Sequence, residues 1–178
     1  MRIFITGGCK NGKSTLARRL AVAQRNENGL FYVATMVPMS PEDEACVARH
    51  RAERASDGFM TIEQPSSLSH LLSVCPNGAS FLIDSLTALM QNEMFREDFI
   101  DHDAHKRVVP QLKRVINSLD NAVIVSDFIF SDSARYDPTT ERYREALAFL
   151  DRTAAALCDT VLEVNYSGIT THKGGIAT

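Results

Sequence analysis

The stretch Gly7-Gly8-Cys9-Lys10-Asn11-Gly12-Lys13-Ser14 decides the fold of this chain. It matches the pattern G-x-x-x-x-G-K-[ST] at every position, directly after the apolar run Arg2–Thr6 and at the start of a helical pattern. Its glycines permit backbone conformations that a Cβ would penalise, so successive N–H groups can curl around a phosphate. The Lys13 ammonium is expected to meet β- and γ-phosphate oxygens, and the Ser14 hydroxyl to ligate Mg²⁺. The loop therefore predicts a nucleoside triphosphate site. A chance glycine turn is the weaker interpretation, because pattern and context agree.

Short apolar runs alternate with helical patterns along the rest of the chain. The predicted strands are Arg2–Thr6, Leu30–Ala34, Phe81–Ile83, Ala122–Ser126 and Thr160–Val164. The predicted helices are Lys13–Gln24, Asp43–Ala55, Ser67–Val74, His105–Leu119 and Thr139–Leu157. This alternation predicts one α/β domain over residues 1–178, with a P-loop NTPase-like, open, mostly parallel sheet and helices on both faces. The polar stretch His172–Gly175 predicts a frayed tail.

Composition narrows the class of protein. The 178 residues include 44% hydrophobic and 23% charged residues, which excludes a disordered or low-complexity chain. The formal charge of −3 argues against a protein that coats nucleic acid. No apolar run reaches the ~20 residues of a membrane span, and we expect no leader peptide. Cys9, Cys46, Cys75 and Cys158 are scattered without a C-x-x-C pair, so we expect a reducing cytoplasm.

Two aspartates end predicted strands near the phosphate loop. A P-loop that holds a triphosphate usually needs an acidic partner for the metal at the end of a nearby strand. Asp84 closes Phe81–Ile83 and is followed by Ser85-Leu86-Thr87, whose hydroxyl groups favour it. Asp127 closes the next strand and remains an alternative, and either residue is also typical of an acid that caps the following turn.

A basic segment between the second and third predicted strands contains a candidate nucleophile. On a helix over Asp43–Ala55, His50, Glu53 and Arg54 share one face. The arginines around His50 lower its affinity for protons, so a neutral imidazole could attack an α-phosphorus while arginines hold the triphosphate. The same residues are also typical of a solvated basic helix, and without further information that interpretation is the simpler one.

Five segments, taken in order, resemble the bifunctional adenosylcobinamide kinase/adenosylcobinamide-phosphate guanylyltransferase family of cobalamin biosynthesis. They are Thr6–Ser14, Tyr32–Thr35, His50–Arg54, Thr61–Pro65 and Leu82–Thr87. In that family they correspond to the P-loop, a Y-[IV]-A-T strand end, an H-[RK]-x-x-R signature, a T-x-E and an acid-ended strand. Leu162–Ile169 resembles the family's closing strand.

The resemblance implies two reactions at one nucleotide site. ATP or GTP would phosphorylate the aminopropanol arm of adenosylcobinamide, with Lys13 as a catalytic residue. GTP would then transfer GMP through His50 to adenosylcobinamide phosphate, giving adenosylcobinamide-GDP. Ser14 and Asp84 would hold Mg²⁺. The implied nucleotide-binding residues are Gly7, Gly8, Cys9, Lys10, Asn11, Gly12, Lys13, Ser14, Val33, Ala34, Thr35, Arg51, Ala52, Glu53, Arg54, Glu63 and Asp84. A homo-oligomer, with trimers among the relatives, is also implied.

The sequence departs from the family pattern at several positions. Asn11 replaces a serine of the P-loop, Cys46 replaces an arginine, and Asp43 replaces a methionine. The segment 127–133 replaces an N-E-V-G stretch that edges the site. Two alternatives therefore accompany the bifunctional enzyme: a small-molecule kinase without the guanylyltransferase activity, and a GTP-binding regulatory module.

Overall fold

The computed structural model describes residues 1–38, 47–48, 51–52, 54–166 and 168–175. Within these residues, seven strands form one sheet: β1 Arg2–Gly7, β2 Leu30–Ala34, β3 Met60–Glu63, β4 Ser80–Asp84, β5 Asn121–Val125, β6 Thr160–Asn165 and β7 Gly168–Lys173. Their order across the sheet is β3-β2-β4-β5-β1-β6-β7. Every neighbouring pair is parallel except β6 and β7, which are antiparallel. The carboxyl ends of β1 to β6 therefore lie at one edge.

Helices cover both faces of the sheet. They are α1 Lys13–Ala23, α2 Leu71–Val74 after a 3₁₀ turn at Leu68–His70, α3 Leu86–Met94, α4 Ala104–Ser118 and α5 Pro138–Leu157. The described residues in the range 47–56 are helical up to Ser56. The start of α5 shows why it forms there: Pro138 occupies the first turn, and the Asp137 carboxylate accepts hydrogen bonds from two backbone N–H groups.

Alternating residues of each strand enter two separate cores. On β1, Phe4 packs with α3, α4 and α5, whereas Ile3 and Ile5 pack with Ala17 and Ala21 of α1. The same alternation holds on β2, β4 and β5. Strands that are buried on both faces must be apolar throughout, which is why they stand out as continuous apolar runs in the sequence. The predicted mostly parallel sheet with helices on both faces is confirmed.

The structure corrects the prediction at the carboxyl end of the chain. The predicted frayed tail over His172–Gly175 is wrong, because β7 pairs with β6 along Gly168–Lys173. Lys173 Nζ also donates to the carbonyls of Ala156, in the last turn of α5, at 2.9 Å and of Cys158, just beyond it, at 2.6 Å. The described residues of β7 are all exposed. A strand without a buried side leaves no alternation of apolar residues in the sequence.

Two further elements were not predicted, β3 and α3. All five predicted strands are present, and the predicted helix Asp43–Ala55 is helical where it is described, its remainder lying outside the described residues. α3 follows Ser85, whose side chain accepts a hydrogen bond from Ala88 N at 3.2 Å. None of the helices in the described part of the chain is long and apolar enough to cross a bilayer.

A buried carboxylate ties α3 to its neighbours. Glu93 is fully buried and accepts hydrogen bonds from Ser67 N at 2.7 Å and from Arg96 Nη2 at 2.6 Å. It also forms an ion pair with Arg107 of α4. These partners satisfy a charge that would otherwise be costly to bury, and they fix the loop before α2 against α3.

We expect Glu93→Ala to lower the free energy of unfolding by about 3 kcal/mol, because two arginines and a backbone N–H lose their partner. Chemical denaturation measures this change. Glu97→Ala removes an exposed carboxylate just beyond α3 and should change stability by less than about 0.5 kcal/mol. Equal effects of the two substitutions would contradict the assignment.

Candidate functional site

The phosphate loop is shaped by its glycines and held by β6. Gly12, at the start of α1, has φ 86° and ψ 7°. Gly7 has φ 152°, and a Cβ added there would lie 2.2 Å from the Val164 carbonyl oxygen of β6. Asn11 Nδ2 donates to that same carbonyl at 3.3 Å. The positive φ of Lys10 (57°) completes a loop whose backbone N–H groups can face an anion.

Lys13 is tied back to the protein at two oxygens. Its Nζ donates to Gly8 O at 2.7 Å and forms an ion pair with Asp127 Oδ1 at 2.8 Å. The lysine is only 6% exposed. A buried ammonium needs such anionic and carbonyl partners, and phosphate oxygens can replace them. Asp127, the alternative acid of the sequence analysis, is therefore the direct partner of the P-loop lysine.

A cavity of about 540 Å³ opens beside the loop, at the carboxyl edge of the sheet. Polar and charged side chains form one part of its wall: Ser14, Thr15, Arg18, Tyr32, Arg54, Glu63, Asp84, Ser85, Thr87, Gln91 and Asp127. Apolar residues form the rest: Ala34, Met36, Pro38, Val47, Leu82 and Ala88. A volume of this kind is ordinary for a small-molecule site, and its position agrees with the rule for open α/β sheets.

Asp84 projects into this cavity from the end of β4. Its Oδ2 accepts a hydrogen bond from Tyr32 OH at 2.8 Å. Burial raises the pKa of Asp84, and the charge of Asp127 raises it further, whereas the hydrogen bond from Tyr32 and the nearby cations Arg54 and Lys13 lower it. The two aspartates therefore repel each other across a site that also contains two cations.

Asp127 is held in place by its own backbone and by that of its neighbours. Ser126 N donates to Ile5 O at 3.0 Å, and Phe128 N donates to Gly7 O at 2.9 Å. Between them, Asp127 N donates to Thr87 Oγ1 at 2.8 Å. These contacts fix the segment after β5 to β1, to the phosphate loop and to α3, so the carboxylate that pairs with Lys13 has little freedom.

The oxygen donors of the cavity suit a magnesium ion. Mg²⁺ is usually bound by one or two carboxylates together with substrate phosphates and water, rather than by a complete protein cage. The Ser14 hydroxyl and the Asp84 carboxylate both line the cavity beside the phosphate loop. The repulsion between Asp84 and Asp127 is a second reason why a cation fits there. No group of three or more potential metal-ligating side chains occurs among the described residues.

Arg54 brings a buried cation to the cavity wall. It is 7% exposed, and its guanidinium carbon lies 3.7 Å from the centre of the Tyr32 ring. In the part of the chain that the structure describes, Arg54 Nε has no hydrogen-bond partner. Arg51, by contrast, is exposed and lies 3.8 Å from the Glu63 carboxylate. A desolvated guanidinium with an unsatisfied donor favours an anionic ligand.

Five of the predicted site residues that the structure describes line the cavity: Ser14, Ala34, Arg54, Glu63 and Asp84.

Other predicted residues do not line the cavity. Val33 is fully buried in the core beneath α3, and Thr35 is fully buried at the end of β2. Cys9, Lys10 and Ala52 are exposed. His50 and Glu53 lie outside the described residues, so their placement stays a prediction.

Sequence reasoning missed three contributors to the site. Tyr32 was noticed only as a motif position, yet it binds Asp84 and stacks on Arg54. Thr87 was noticed only as a hydroxyl near Asp84, yet it holds Asp127. Met36 was not predicted at the site, and it lines the cavity with half of its surface exposed. These contacts join residues that are distant in sequence, so they become visible only once it is known which strands are neighbours.

The phosphate loop, its lysine and the strand-end acids at the carboxyl edge define a nucleotide-using protein with a P-loop fold. Comparison with known sequences then identifies its group. The cobinamide kinase / cobinamide phosphate guanyltransferase family matches residues 3–172, and the chain belongs to that family. The bifunctional adenosylcobalamin biosynthesis protein CobP of Pseudomonas aeruginosa is 30% identical over 165 residues, which cover 90% of this chain and 91% of that protein.

The fold is also similar to parts of solved structures. A solved ATPase domain superposes with a TM-score of 0.54 at 11% identity, covering 97% of this chain and 76% of that one. The flagellar accessory protein FlaH from Methanocaldococcus jannaschii covers 97% of this chain and 78% of its own, with a TM-score of 0.47 and 14% identity. The likeness to the ATPase domain supports the architecture alone, because the identity is so low.

We expect Gly7→Ala to lower the free energy of unfolding by about 2 kcal/mol or more and to weaken nucleotide binding, because the added methyl group meets the Val164 carbonyl. Gly12→Ala meets no atom within 4 Å and should cost only the backbone strain of its positive φ, about 1 kcal/mol. Thermal unfolding and titration with a fluorescent GTP analogue measure both effects. Gly175→Ala, which has open space, serves as the control; a Gly7 variant as stable as this control would refute the contact.

Proposed function

We propose that this protein phosphorylates the hydroxyl of adenosylcobinamide with ATP or GTP and then transfers GMP from GTP to the resulting phosphate, giving adenosylcobinamide-GDP. The observation that carries the proposal is the ion pair between Lys13 and Asp127 at a cavity that also holds Asp84 and Arg54, in a chain of the cobinamide kinase / cobinamide phosphate guanyltransferase family. The name of the Pseudomonas aeruginosa relative, a bifunctional adenosylcobalamin biosynthesis protein, agrees with it.

In the proposed kinase step, Lys13 exchanges its contacts with Asp127 and Gly8 O for oxygens of the β- and γ-phosphates. The acceptor oxygen forms a bond to the γ-phosphorus, and the bond from that phosphorus to the β–γ bridging oxygen breaks. The Asp127 carboxylate, released from the lysine, takes the proton of the acceptor hydroxyl. Positioning and charge stabilisation account for most of the catalysis in such transfers.

A magnesium ion held by Ser14 and Asp84 would neutralise charge on the phosphate oxygens during both steps. Burial is the largest influence on Asp84 and raises its pKa, the hydrogen bond from Tyr32 and the nearby cations oppose that rise, and a bound magnesium ion would favour the charged carboxylate further. Ser14 lies in the first turn of α1, next to the lysine, so one helix start presents both groups to the phosphates.

In the proposed guanylyl transfer, an imidazole nitrogen of His50 forms a bond to the α-phosphorus of GTP, and the bond from that phosphorus to the α–β bridging oxygen breaks. Pyrophosphate leaves with the charge of the broken bond. An oxygen of adenosylcobinamide phosphate then attacks the same phosphorus and restores the histidine. Arg54, buried against Tyr32 with an unsatisfied Nε, would bind the triphosphate.

Replacement of Asp127 by Asn tests the kinase step. We expect kcat for phosphorylation of adenosylcobinamide to fall by ~10²-fold, because the amide cannot take a proton. Nucleotide binding should stay the same or become tighter, since Lys13 loses its internal partner. Asp120→Asn, at the opposite end of β5, should leave both quantities unchanged. An unaltered kcat in Asp127→Asn would show that this carboxylate does not take the proton of the acceptor hydroxyl.

Labelling with GTP that is radioactive at the α-phosphorus tests the transferase step. The wild-type protein should retain acid-labile label, as expected for a phosphorus–nitrogen bond, and His50→Ala should lose it while keeping the kinase activity. His102→Ala, which removes an exposed histidine before α4, is the matched control and should retain the label. If the wild-type protein has kinase activity but retains no label, it is a kinase without the guanylyltransferase activity. Nucleotide turnover that adenosylcobinamide does not stimulate would indicate a regulatory GTP-binding module.

A further inference from the structure

We propose that Tyr32 of β2 and Thr35, the residue directly after β2, are positioning residues, which hold Asp84 by its side chain and by its backbone and so fix the oxygen that receives the magnesium–nucleotide complex. This inference rests on the proposed function in taking Asp84 as the acid of that complex. It assigns Thr35 a role at a distance from the ligand, whereas the family resemblance places it among the nucleotide contacts.

Thr35 contacts the turn after β4 and not the cavity. Its side chain is fully buried. Its hydroxyl donates to Ser85 O at 2.8 Å and accepts from Ser85 N at 2.7 Å, and its own N–H donates to Asp84 O at 3.2 Å. One residue therefore satisfies three backbone groups on the residues Asp84 and Ser85. A side chain with no exposed surface cannot bind a ligand directly, so any effect of Thr35 on the site must pass through these groups.

Tyr32 acts on the carboxylate of the same residue. Its hydroxyl donates to Asp84 Oδ2 at 2.8 Å, and its ring lies between the α1 core and the guanidinium of Arg54. The ring is 8% exposed, so packing limits its motion. The hydrogen bond from Tyr32 holds one carboxylate oxygen of Asp84. Since the carboxylate is planar and rigid, the direction of the other oxygen is fixed as well. Together with Thr35, this holds Asp84 at its carboxylate and at its backbone.

The end of β2 is itself anchored from α3. Asn92 Nδ2 donates to Thr35 O at 2.7 Å and to Pro65 O at 3.1 Å. Thr35 is thereby held on the side away from Asp84 as well. The chain of contacts runs from α3 through β2 to the acid at the end of β4, and every link is a hydrogen bond between groups that are partly or fully buried.

Removal of a partner of this kind typically lowers metal affinity by 10- to 100-fold, because the ligand keeps its identity but loses its orientation. Loss of the Thr35 hydroxyl would also leave the N–H and carbonyl of Ser85 unpaired in a buried environment. Both effects concern the magnesium-dependent part of nucleotide binding. The contacts of the phosphate loop with the nucleotide do not involve Thr35 and should persist.

The test compares Thr35→Val, which keeps the shape and removes the hydroxyl, with Thr35→Ser, which restores the hydroxyl. Binding of a fluorescent GTP analogue is measured while Mg²⁺ is titrated, and again with excess chelator. For Thr35→Val we expect the Mg²⁺ concentration at half-saturation to rise by about tenfold or more, and that of Thr35→Ser to stay within about threefold of wild type. Affinity in chelator should be unchanged in both variants.

Two results would overturn the inference. A weaker affinity in chelator for Thr35→Val would show a direct contact with the nucleotide, and an unchanged Mg²⁺ requirement would show that Thr35 has only a packing role. If Thr35→Val fails to fold by thermal unfolding, Tyr32→Phe decides the question, since it removes a single hydroxyl and should raise the Mg²⁺ requirement in the same direction. Tyr166→Phe, 94% exposed, is its control. This assay measures nucleotide binding and contains no cobinamide. Its outcome therefore does not depend on the proposed transferase activity, which is tested separately by the labelling experiment.

Discussion

The close approach of Gly7 to β6 is the constraint on which the site depends. β1 lies between β5 and β6, and its last residue has no room for a side chain because the Val164 carbonyl occupies that position. The loop must therefore leave the sheet immediately after Gly7 and turn back at Gly12 to begin α1. That path brings Lys13 to the end of β5, where Asp127 lies. A small residue at the carboxyl end of an internal strand thus determines where the ammonium and the helix start meet the ligand.

Strand pairing then brings the charges of the site together. β4 and β5 are neighbours, so Asp84 and Asp127 lie at adjacent strand ends, and β2 on the other side of β4 supplies Tyr32. Each acid has a defined partner: Tyr32 for Asp84 and Lys13 for Asp127. Arg54 adds a second cation against the Tyr32 ring. The net charge of −3 for the whole chain says little about this local balance of acidic and basic groups.

The sequence predicted the parts of the fold that depend on local pattern. The apolar runs of β1 and β5 are continuous because those strands are buried on both faces, and the phosphate loop has a complete motif. β7 was missed because all its described residues are exposed, and α3 because Ser85-Leu86-Thr87 was considered only as a source of hydroxyl groups beside Asp84. Contacts such as Thr35 with Ser85 could not be predicted, because they depend on which strands become neighbours. His50 was proposed from a motif, and its position stays a prediction.

The pairing of Lys13 with Asp127 also has a consequence for ligand choice. The carboxylate is tethered beside the ammonium and acts as an intramolecular competitor for any anion that binds there. A single phosphate group must displace the Asp127 carboxylate from Lys13, and its own contact with Lys13 only replaces the one that is lost. A triphosphate has more groups with which to compensate, because it also reaches the N–H groups of the loop and the guanidinium of Arg54. The protein can thus discriminate against small anions by supplying a competing carboxylate of its own.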